Sequence, residues 1–141
     1  MTFKRIEGAS LKTQVFLYYA SVGHPTFDFP AFEHDDMDAI KKQAVDEVVG
    51  VYGAESVFDK DGNVQDRYAE KVEGQMRIIA SGRAFDARKE LVDEDYLWAV
   101  KKIRKTDRGR YEAYQVGLTK KGEYWAPKFI EKYGMPIMSK Y

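Results

Sequence analysis

Apolar residues recur at helical spacing through the first two thirds of the chain, switch to strand-like alternation at Tyr96, and return to helical spacing after Thr119. That double change of period constrains the fold more than any other feature. It predicts helices, then one extended hairpin, then a last helix, so the fold class is α+β and mostly helical. With 141 residues and no internal repeat or flexible linker, the chain is expected to be a single domain, 1–141.

Ser10 is a good N-cap for a helix carrying Leu11, Val15, Tyr18, Tyr19 and Val22, and Gly23 sits where a left-handed stop belongs, predicting a helix over 10–22. Acids Glu33, Asp35, Asp36 and Asp38 precede Ile40, Ala44, Val45, Val48, Val49 and Tyr52, which predict a second helix over 36–52. Asp61-Gly62 marks a turn between short extended pieces. Tyr68, Val72, Met76 and Ile79 predict a third helix over 66–81 ended by Gly82, and Ala84, Ala87 and Leu91 a shorter fourth over 84–94. Tyr96, Trp98, Val100 and Ile103 suggest a strand, Thr106 to Gly109 a turn, and Tyr111 to Leu118 a second strand. Thr119 then caps a final helix over 120–133 that carries Tyr124, Trp125, Phe129 and Tyr133.

Composition narrows the chemistry. There is no cysteine, which removes thiol nucleophiles, disulfides and Cys-ligated zinc and suits a reducing cytoplasm. The longest apolar run, Val15 to Ala20, is too short for a membrane span, and the first residues lack a signal-peptide pattern, so a cytoplasmic protein with no membrane contact is expected. Nucleophile elbows, phosphate-binding glycine loops and zinc-protease motifs are missing, which favours a non-enzymatic role without a cofactor. Asp59, Asp61, Asn63 and Glu70 match positions 1, 3, 5 and 12 of a calcium loop, but Val64 replaces the glycine of its sharp turn. A simple turn is the better reading. His24 and His34 lie among acids at spacings that do not converge on an ion, and no metal site is expected.

Formal charge sums to zero yet is unevenly placed. Residues 1–70 carry 7 Lys/Arg against 13 Asp/Glu, and residues 71–141 carry 16 against 10. A polyanion is therefore attracted to the later part of the chain, and a basic partner to the earlier.

The element order is similar to that of a winged-helix domain, a helical cluster closed by a two-stranded wing. Ala87-Arg88-Lys89-Glu90-Leu91-Val92-Asp93-Glu94-Asp95-Tyr96-Leu97-Trp98 looks like the end of a recognition helix, a turn and the first wing strand. Arg110-Tyr111-Glu112-Ala113-Tyr114-Gln115-Val116-Gly117 looks like the second strand. Leu118-Thr119-Lys120-Lys121-Gly122 resembles the Leu-Thr-x-Lys-Gly step from wing to last helix in MarR- and PadR-like winged-helix regulators. The resemblance covers 66–133, with Asp95 where such regulators commonly place glycine. It implies an N-terminal helical extension at 1–35, a winged helix-turn-helix core at 36–118, and a C-terminal helix and tail at 119–141.

A DNA-binding transcriptional regulator follows as the expectation, with double-stranded DNA as partner and a homodimer through 10–22 and 120–133. Arg83, Arg88 and Lys89 would lie at the groove, Arg88 on a base edge, while Lys101, Lys102, Arg104, Lys105, Arg108 and Arg110 follow phosphates. The hairpin cations and the start of the short helix are expected to share one side as a cationic cradle. Asp86, Glu90, Asp93 and Glu94 would repel phosphate unless they face away. The rival expectation is a non-enzymatic protein-interaction module, an accessory or inhibitory protein, that binds a basic partner through its acidic N-terminal half, with 28–38 as the stretch to test. Aromatic residues beside cations, such as Tyr111 and Tyr114, could also stack on unpaired bases.

Overall fold

The caps predicted at Ser10, Gly23 and Thr119 are used. In the computed structural model, which describes residues 2–138, Ser10 Oγ accepts the backbone N–H of Thr13 to open α1 (Leu11–Val22), and Gly23 closes it at φ 72°. Thr119 Oγ1 likewise accepts the N–H of Gly122 to open α5 (Lys120–Tyr133). The remaining helices are α2 (Met37–Tyr52), a single turn α3 (Ala54–Val57) and α4 (Asp66–Asp93). Strands β1 (Thr2–Phe3) and β2 (Ala31–Phe32) form a short parallel pair, and β3 (Leu97–Thr106) and β4 (Gly109–Leu118) an antiparallel hairpin in register from Leu97↔Leu118 to Thr106↔Gly109. The architecture is α+β.

Helix α4 corrects the expected break at Gly82. Its 28 residues run without interruption, and Gly82 is absent from the positive-φ positions that a left-handed stop would need. A glycine in a helix interior costs about 1 kcal/mol relative to alanine, which apolar contacts on both sides of it in sequence offset. No separate short helix begins near residue 84.

The chain divides into two compact units, Met1–Glu33 with Ala84–Tyr141, and His34–Arg83. Residues 1–33 therefore do not stand outside a core that starts at 36. The reason is α1, whose residues from Gln14 to Tyr19 are all buried, so that it forms the apolar centre of the first unit. Phe16 packs edge-on against Tyr96 and Phe129, and Leu97, Val116, Ala87, Leu91 and Ala126 complete that core. Thr26 joins β4 through two 2.9 Å hydrogen bonds with Val116, which ties the segment after α1 to the hairpin. Gly122 allows α5 to lie against the Tyr96 carbonyl, where a Cβ would clash.

The second unit has its own core of Ala44, Val48, Val57, Tyr68 and Val72. Its Asp59 Oδ1 accepts the N–H groups of Asp61 and Asn63, closing the loop between the bridged Phe58 and Val64, so the calcium-like stretch is a polar turn. Among the described residues no helix is long and apolar enough to cross a membrane.

Candidate nucleic-acid interface

The hairpin is buried at its root, and farther out Arg104 rests on the Phe27 ring. Leu97 and Val116 are buried and Ala99 and Leu118 half-buried, whereas every residue from Val100 to Glu112 is exposed. At about 3.3 Å per residue, the seven residues Val100–Thr106 extend about 20 Å from that root. The loop Asp107-Arg108 closes with Gly109 in left-handed backbone at φ 117°, while Thr106 Oγ1 accepts the N–H of Arg108. The result is an exposed two-stranded arm.

Strand alternation decides where its cations go. Lys101, Lys105 and Arg110 continue the face that holds Leu97 and Val116, whereas Lys102 and Arg104 occupy the opposite face. Arg108 is at the tip. The expected one-sided cradle is thus corrected: a pleated ribbon cannot put successive residues on one side. Lys101 is held by Glu112 at 3.0 Å, which raises its ammonium above its ordinary pKa. The Arg104 guanidinium lies 4.5 Å over the Phe27 ring and 6.0 Å from Tyr111.

Arg88 requires a second correction. It is 6% exposed and cannot reach a base edge. Its guanidinium sits among the rings of Phe29, Phe85 and Tyr114 at 4.5, 4.9 and 5.6 Å, and Nη1 donates to the Tyr19 hydroxyl at 3.3 Å. Among the described residues no carboxylate pairs with it, so aromatic faces and one hydroxyl carry the burial of its charge. This cage draws on α1, the 26–30 segment, α4 and β4. Its members are far apart in sequence, which is why residue pattern alone missed it.

The other two expected groove residues fall in different units. Arg83 belongs to the second unit, where it is paired with Asp36 and lowers that carboxyl below its ordinary pKa. Lys89 is exposed on α4 in the first unit. Because α4 is continuous through this region, there is no free helix start to present Arg83, Arg88 and Lys89 together.

The expected dimer surfaces fare unequally. The apolar residues of α1 are consumed by its own core, while α5 exposes Tyr124 and Trp125, with Lys128 Nζ above both rings at 4.3 and 4.7 Å. In the acidic stretch, Glu33 Oε2 accepts the Arg5 backbone N–H and Asp36 is engaged by Arg83. Among the described residues no three His, Asp or Glu side chains gather as a metal site would require. No known protein family, curated protein or solved structure matches the chain.

Proposed function

We propose that the protein is a cytoplasmic DNA-binding regulator of the winged-helix kind whose β3–β4 arm enters a groove of duplex DNA. The observation that carries this reading is the arm itself. It has six cations, Lys101, Lys102, Arg104, Lys105, Arg108 and Arg110, against Asp107 and Glu112, and they lie on both faces of an exposed ribbon, with Arg104 resting on the Phe27 ring. A ribbon lying flat on an anionic surface would use one charged face. A ribbon between two phosphate walls uses both, and a two-stranded ribbon is of a width that the major groove admits.

The pairing of Thr26 with Val116 and the Thr119 cap support the winged-helix comparison, because they tie the segment after α1 and the last helix to the wing. In this reading Arg88 stiffens the arm's root, and phosphate contact belongs to the arm, with the exposed Lys89 of α4 as a further candidate. Self-association falls to α5.

Gel retardation with random and genomic duplexes at low salt tests the proposal. Retardation should disappear when Arg104, Arg108 and Arg110 are changed to Ala in a protein that still folds. If each cation meets one phosphate, affinity should fall about a thousandfold between 50 and 200 mM salt. Unchanged mobility of all duplexes at low salt would overturn the proposal and favour a basic protein partner for the 28–38 stretch.

A further inference from the structure

The arm's root also carries rings that its fold leaves open. Phe85 and Tyr114 are 39% and 38% exposed, with ring centroids 6.4 Å apart in edge-to-face contact. Phe29 stands edge-on to Phe85 at 6.2 Å, and the buried Arg88 guanidinium lies beneath all three rings. Arg88 therefore clamps the rings from inside, while part of Phe85 and Tyr114 faces water. Lys101 Nζ lies over the Tyr114 ring, 5.9 Å from its centroid, and is paired with Glu112 on the same face of the hairpin, with Lys105 and Arg110 farther along it.

Rings fixed by packing lose little entropy when a planar group stacks on them, and a cation beside them attracts the phosphate attached to that group. A stacked base in an intact duplex cannot offer its flat face to such a ledge. An unpaired one can, because every base has a π-face and stacking requires no particular sequence. On the strength of the DNA reading above, we propose that the Tyr114 ring, buttressed edge-to-face by Phe85, stacks an unpaired DNA base that takes the place of the Lys101 ammonium over the ring, with Lys101 turning from Glu112 to the neighbouring phosphate. The ligand class of the arm is then duplex DNA carrying a bulged or extruded base.

Two fluorescein-labelled duplexes of one sequence, one fully paired and one with a single unpaired base, provide the test by anisotropy. A third, with 2-aminopurine at the unpaired position, reports stacking. The full-length wild-type protein should bind the bulged duplex roughly tenfold more tightly than the paired one and quench the 2-aminopurine. Tyr114→Ala should erase both differences, and Tyr114→Phe should keep them. The wild-type comparison stands even if Tyr114→Ala fails to fold. Equal affinity for the two duplexes, with both still weakened by loss of Arg104, Arg108 and Arg110, would overturn the platform and leave the DNA reading intact. Binding to neither duplex would overturn both.

Discussion

The two ends of one hairpin obey different rules. At its root, Leu97, Ala99, Val116 and Leu118 close the core of the first unit, and Gly117 lies against the Trp98 ring. From Val100 outward the same strands keep the same register yet bury almost nothing. An exposed two-stranded ribbon is marginal alone, so the arm persists because its root is fixed. The root supplies stability and the arm supplies charge, which means that each can be altered with little change in the other.

The widest effect should come from the arm. Replacing Lys101, Lys102, Arg104, Lys105, Arg108 and Arg110 with Ser should lower affinity for paired duplex DNA by about a thousandfold near 0.1 M salt while Tm barely moves; a large fall in Tm would break the separation. At the root, Leu97→Ala should cost about 3 kcal/mol in a denaturant titration, because Leu97 is buried in the core. Arg88→Ala should cost about 2 kcal/mol through lost ring contacts and a cavity, with paired-duplex affinity unchanged within about twofold. A large affinity loss at preserved stability would instead restore Arg88 to the groove.

The second unit supplies smaller effects that should leave the arm untouched. Burial holds the His34 imidazole below its ordinary 6.5, so the folded chain resists a proton that the unfolded chain accepts. Its contribution is complete above 6.5 and declines as pH falls from 6.5 toward the folded-state value. Asp36, lowered by Arg83, acts in a separate window, contributing above 3.8 and losing that contribution as pH drops through its folded value. Thermal melts between pH 7.5 and 5 should show the first decline in wild-type protein and a flatter profile in His34→Leu. Smallest of all, Arg83→Ala should cost less than about 1 kcal/mol, since its pair with Asp36 is partly exposed.

Sequence reading was strongest where the determinants are local. Ser10 and Thr119 marked their helices because a cap acts within three residues, and Asp61-Gly62 marked its loop for the same reason. Gly82 misled because a glycine ends a helix only when its backbone turns left-handed, and packing on both sides kept it helical. The β1–β2 pair was invisible, since Phe3 and Phe32 meet across 29 positions of chain. In β3, apolar residues occupy both faces near the root, Leu97 and Ala99 on one and Trp98 and Val100 on the other, so alternation could not tell which face is buried. The arm's cations were legible as a cluster, but their division between faces emerged from register. Arg88 was illegible because its partners Tyr19, Phe29 and Tyr114 converge only after folding.

The Trp98 ring against Gly117, 2.7 Å from where a Cβ would stand, gives the protein a native optical gauge. The chain has only two tryptophans, and the other, Trp125, is on the open side of α5. Changing Trp125 to Phe leaves a single tryptophan, selectively excited apart from the tyrosines, at the joint between body and arm. Its wavelength and intensity would follow that joint directly, so bending of the arm during ligand capture could be timed by stopped-flow fluorescence without attaching a dye.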